Sequence, residues 1–130
     1  TAIGMTDGMV VLSDRMDLLP PDRRQMVRRV HDLSGGRPEV LDLFDHRRPE
    51  LIVSRRPGRL DIGVLNMSDR PRRTLLDLRR PELYRGAGGP AAQPDELVEF
   101  WTGARIPVRG GIADFGELPP HSARVVQIES

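Results

Sequence analysis

The stretch Arg59 to Asp69, RLDIGVLNMSD, sets Leu60, Ile62 and Val64 at every second position, with Asp61 and Gly63 between them. Successive side chains of a strand point to opposite faces, so this spacing predicts a half-buried β-strand with its aliphatic side on a core. Asn66, Ser68, Asp69 and Pro71 follow as turn formers, and an apolar run restarts at Thr74 to Leu78. That order predicts a hairpin.

The same period of two governs the chain from Val40 onward. Strands are expected at Glu39 to Phe44, Leu51 to Arg55, Leu60 to Asn66, Arg73 to Leu78, Leu97 to Trp101, Arg105 to Val108, Ile112 to Phe115 and Ala123 to Ile128. Pro49, Pro57, Pro71, Pro81, Gly110-Gly111 and Pro119-Pro120 punctuate them. Many short strands need many chain reversals, and the 12 prolines and 13 glycines supply them. The fold class expected is mainly β, an antiparallel, Greek-key-like β-sandwich. Tyr84 to Asp95, YRGAGGPAAQPD, reads as a surface loop.

The N-terminal quarter follows different rules. Residues 8 to 13, GMVVLS, are continuously apolar rather than alternating, as in a parallel strand covered on both faces. After Asp14-Arg15-Met16-Asp17, a helix is predicted from about Pro21 to Leu33. Pro21 suits a first turn, Asp22 complements the positive end of the helix dipole, and Ser34-Gly35-Gly36 stops it. Met26, Val27, Val30 and Leu33 share one face; Arg23, Arg24, Arg28, Arg29 and Asp32 occupy the other. Residues 1–34 therefore read as one strand-loop-helix unit, and 35–130 as the sandwich. With 130 residues, one core is the expectation.

Charge and composition narrow the functional classes. A formal net charge of +1 gives no overall field to recruit nucleic acid or an anionic membrane, so neither is expected as a partner. All 20 basic residues are Arg, which is either a lineage bias or a sign of paired and stacked guanidinium groups. Absent cysteine removes disulfides and thiolate metal sites but leaves the compartment open. No run approaches the roughly 20 apolar residues of a membrane span.

No set of residues able to run a reaction emerges. His31, His46 and His121 lack a second ligand at metal spacing, so no metal or other cofactor is expected. Ser13 with Asp14 and His121 lacks the glycine pattern of a nucleophile elbow. The pairs Asp42 with Asp45 and Asp114 with Glu117 fit turn caps better than a glycosidase pair. Asp14 follows directly the end of the buried strand, where α/β proteins present functional groups; an Asx turn is the other reading. Phe100-Trp101 offers rings for a core or, through Trp101, for stacking on a sugar. The arginine face of the helix is either solvated or a track for phosphates.

Several stretches taken together resemble a known family. GMVVLSDRMDLLPPDRRQMVRRV, EVLDLFDHRRPELIV, RLDIGVLNMSDRPRRTLLDL, LVEFWTGARIPV and ELPPHSARVVQIE, in this order, are similar to the C-terminal end of α-galactosidase-like glycoside hydrolases, the melibiase group of clan D. The resemblance implies an eight-fold β/α barrel followed by a C-terminal antiparallel sandwich. GMVVLS becomes the last barrel strand, Pro21 to Leu33 the last barrel helix, and the stretch 84–95 an insertion. The family's two catalytic aspartates sit on earlier barrel strands, and no position here matches them. The implied role is therefore structural, within an enzyme that hydrolyses terminal α-linked sugars with retention. Asp14 is implied at the substrate-binding rim. The implied partners are the rest of the barrel and, through it, a carbohydrate. Without that barrel, Met9 to Leu12 and the apolar helix face lack full cover, so self-association, packing back on the sandwich, or poor order of residues 1–34 is expected. The alternative from a different class is an independent β-sandwich module that binds carbohydrate through Trp101 or a polyanion through arginines.

Overall fold

The computed structural model describes residues 2–6, 15, 17–45, 47–86 and 93–129. Eight strands are present: β1 (Arg37–Val40), β2 (Leu51–Arg56), β3 (Arg59–Asn66), β4 (Arg72–Asp77), β5 (Glu96–Val98), β6 (Arg105–Arg109), β7 (Ile112–Leu118) and β8 (Ser122–Glu129). They form two antiparallel four-stranded sheets, ordered β1-β2-β3-β8 and β4-β7-β6-β5. In the second sheet β5, β6 and β7 run as consecutive hairpins, and β4, joined to β5 by the long connection 78–95, lies beside β7. That is a Greek-key arrangement.

The alternation read from the sequence sorts side chains as expected between the sheets. Leu51 and Val53 on β2, Leu60, Ile62 and Val64 on β3, and Val126 and Ile128 on β8 meet Leu76, Leu97, Ile106, Ala113 and Leu118 from the facing sheet. Burial of each such aliphatic side chain stabilises by roughly 1.5–3 kcal/mol, so this layer is the principal core.

The opposite face of the first sheet is not in water. Ile52, Leu65 and Val125 on that face pack with Phe100, Leu33 and Met5 in a second apolar cluster. Met5 ends the short helix α1 (Ala2–Met5). Leu33 closes a 3-10 turn, His31–Leu33, that continues helix α2 (Pro21–Val30). Met5 packs close to the β3 backbone at Gly63, where a Cβ would stand at ordinary contact distance, 3.5 Å, from the Met5 Cε. β3 is thus buried on both faces rather than half-buried, and Asp61 is fully enclosed. The period was right and the number of covers was wrong, because the second cover comes from residues distant in sequence.

The predicted helix is found, with Pro at its start, Asp22 in its first turn and Arg28 and Arg29 in its last. Of its apolar face only Leu33 is fully buried; no residue of α2 itself is, and Met26 is 41% exposed. The apolar run 8–13 lies outside the described residues.

Three further expectations need correction. β1 stops at Val40 instead of reaching Phe44, because residues 41–45 turn and the Asp42 carboxylate accepts the backbone N–H groups of Glu50 (2.7 Å) and Leu51 (3.1 Å). β3 and β4 do not form a hairpin; the turn between them carries the chain from one sheet to the other. Both ladder positions beside β3 are taken, by β2 and β8. Asn66 fastens the crossing by donating its amide to the carbonyls of Arg70, Leu118 and Pro119 and accepting from Ser68. Finally, the Gly/Pro loop starts later than Tyr84. Pro81–Tyr84 is a 3-10 turn, and the Tyr84 hydroxyl donates to the Leu78 carbonyl at 2.9 Å.

Candidate functional site

Among the described residues, the histidines and carboxylates singled out in the sequence do not converge. Asp14, Ser13 and His46 lie outside the described residues. His31 is exposed at the end of α2. His121, with a left-handed φ of 51°, sits in the β7–β8 turn, and its Nε2 lies 2.8 Å from an Asp69 carboxylate oxygen. Asp42 closes the turn before β2, and Asp114 accepts the Gly116 N–H at 2.9 Å and pairs with Arg73. Among the described residues no group of three or more His, Cys, Asp or Glu could hold a metal ion.

The arginines act mainly as ties. Arg55 pairs with Glu39 at 2.7 Å and donates to the carbonyls of Glu82 and Leu83, holding the 3-10 turn against the first sheet. Arg56 (3.0 Å) and Arg59 (2.7 Å) both bind the Asp61 carboxylate, and Gln127 donates its amide to it at 3.0 Å. The two guanidinium groups also donate to the Asp32 carbonyl, at 2.8 and 2.7 Å. The buried anion is therefore satisfied, and its partners grip the end of α2. Arg29 repeats the pattern from the last turn of the helix. It donates to the carbonyls of Phe100 and Trp101 and lies 4.3 Å from the Phe100 ring centroid.

Surface pairs on the second sheet are of another kind. Arg79 donates two hydrogen bonds to Asp77, which with the backbone N–H of Arg79 pulls the Asp77 carboxyl down to about 2. Asp114 is lowered by its hydrogen bond from Arg73 and by the Gly116 N–H. Such exposed pairs contribute little to stability.

Where α2, the end of β8 and the chain after β5 meet, they leave a groove of about 530 Å3. Arg29, Val98, Phe100, Trp101, Thr102, Gln127 and Glu129 line it, with Glu99 beneath. β5 is prolonged toward β8 by a single bridge, Glu99 to Val126, and by Phe100 N–H donating to the Val125 carbonyl at 2.7 Å. The chain then turns at residues 100–102, so the alternation expected through Trp101 breaks after Glu99. Phe100 enters the second core, as foreseen for one ring of the pair, and Trp101 stands edge-on to it at 4.8 Å and 78°. Glu99 is 1% exposed, with its carboxylate accepting from the Thr102 N–H and hydroxyl at 2.7 Å and from the Val125 N–H at 3.3 Å. No cation pairs with it among the described residues. A signal for it existed in the sequence: the alternation put an acid, Glu99, on the same face as the core residue Leu97.

No family model and no curated protein matches the sequence. In structure the chain is similar to a proposed α-N-acetylgalactosaminidase of Bacillus halodurans C-125, with TM-score 0.68 and 11% identity over 98% of this chain and 30% of that one. α-Galactosidase I of Mortierella vinacea aligns with TM-score 0.62 and 8% identity over 96% of this chain and 32% of the other. An Anoxybacillus α-amylase aligns at 0.53 and 15%, over 83% and 21%. The likeness is one of fold. The chain spans about a third or less of the length of these proteins, and the matched portion is their C-terminal β domain.

Proposed function

We propose that this chain is the C-terminal part of a larger, α-galactosidase-like glycoside hydrolase, in which it is structural rather than catalytic. The observation that carries the reading is the coverage: 98% and 96% of this chain against only 30% and 32% of the two galactoside-directed relatives in shape. In this reading residues 1–34 are the last unit of a β/α barrel, and residues 35–130 the sandwich that buttresses it. The partly uncovered apolar residues Leu18 and Met26 (69% and 41% exposed) give the helical layer a surface for the neighbouring barrel elements.

Retaining hydrolysis needs two carboxyl groups about 5 Å apart across one bond. Among the described residues the buried carboxylates are otherwise engaged: Asp42 by a turn, Asp61 by two arginines, Glu99 by Thr102 and Val125. Asp14 is the one residue assigned to the pocket rim of the intact enzyme, because the exit of a barrel strand collects functional groups. It contributes there to substrate binding and not to bond cleavage.

Three observations test the reading. The chain by itself should leave aryl α-galactosides intact; turnover that survives purification and disappears with a single Asp or Glu substitution in this chain would contradict it. In the encoding reading frame, a barrel with two catalytic aspartates should precede Thr1. In that intact enzyme, Asp14→Asn should weaken substrate use without abolishing it.

A further inference from the structure

We infer that the groove between α2 and the end of β8 is a binding site for a neutral, hydroxyl-rich ligand, a carbohydrate. Its volume of about 530 Å3 falls in the range of roughly 300–1,000 Å3 usual for small-molecule sites. The groove carries charges of both signs, so neither sign of ion is favoured throughout it. Arg29 lies over the Phe100 ring and 5.8 Å from the Trp101 ring centroid, where it repels a cation. Glu99 and Glu129 repel an anion. A neutral ligand meets neither cost.

The polar inventory points the same way. Gln127 commits one amide N–H to Asp61, which leaves its carbonyl oxygen to accept and its second N–H to donate. The Thr102 hydroxyl is engaged within its own turn, donating to Glu99 and accepting from the Ala104 N–H. Glu129 adds an exposed carboxylate. Arg29 is held by two backbone carbonyls. Gln127 and Glu129 thus offer hydrogen-bonding oxygens to the groove, and a sugar supplies many O–H donors. Trp101 and the half-exposed Val98 give apolar surface for the C–H face of a pyranose.

Trp101 is the only tryptophan, so its emission reports this groove directly. Titration of the chain with maltose and with methyl α-D-galactopyranoside should give a saturable change in fluorescence for at least one of them. Gln127→Ala and Glu129→Ala should each weaken it about fivefold or more. Glu129 is exposed at the end of β8, so its variant keeps the test valid if the Gln127 change disturbs Asp61. A flat titration with both sugars, an equal response to glycerol, a response untouched by both substitutions, or tighter binding of tetramethylammonium would overturn the assignment. The readout needs no catalysis, so its failure leaves the enzymatic parentage standing, and turnover would not support it.

Discussion

β3 of the first sheet and β6 of the second are both antiparallel strands with aliphatic residues at alternate positions, yet their burial differs. On β3 every residue after Arg59 is buried; on β6 only Ile106 is, and Arg105, Pro107 and Arg109 stand in water. The inward faces are alike, since they share one core. The outward faces differ because α1, the end of α2 and the Phe100 turn lie over one sheet, while among the described residues no helix packs over the other. The outward residues follow suit: Ile52, Leu65, Val125 and a neutralised Asp61 on the first sheet, Leu75, Asp77 and the Arg73–Asp114 pair on the second. The sandwich therefore has a docking side and a solvent side.

Substitutions rank the two sides. Ile62→Ala, in the core shared by both sheets, should lower stability by about 3–5 kcal/mol in urea denaturation. Leu65→Ala and Leu75→Ala then compare the same side chain on the two outward faces, 6% and 58% exposed. The first should cost about 2–4 kcal/mol by transfer and cavity terms, and the second no more than about 0.5 kcal/mol. Equal costs would break the distinction between the faces.

The smallest effect lies in the surface pairs of the solvent side. Asp77 is lowered to about 2 by Arg79, so its contribution is present above the usual carboxylate range and fades as pH falls from about 4 toward 2. A carboxyl NMR titration should place Asp77 below ordinary aspartates, with the gap shrinking in high salt. A normal titration would remove the pair from the solution structure.

The strands were legible in the sequence because period two and Pro/Gly punctuation are local signals. What covers them was not. The same turn chemistry at Asn66 to Pro71 serves a hairpin or a crossing between sheets, and only the bonds from Asn66 to Leu118 and Pro119, more than fifty residues away, decide it. Asp61 looked like a solvent-side residue because its two arginine partners are near in sequence while the Asp32 carbonyl they also hold is not. The groove was half legible: Trp101 stood out as a sugar candidate, but Arg29, Gln127 and Glu129 reach it from two other elements. Asp14 rested on its place after an apolar run and on family resemblance, and it lies outside the described residues.

The claim that the helical layer is fastened to one sheet through the buried Asp61 is tested most directly by native-state hydrogen exchange on Asp61→Asn beside the unsubstituted chain. The substitution keeps the shape and removes the charge that orients Arg56 and Arg59 toward the Asp32 carbonyl. The account predicts that amides of α2 and of residues 31–33 lose more protection than those of β7 on the solvent side. Protection of α2 that is unchanged, or that falls only in step with β7, would contradict it.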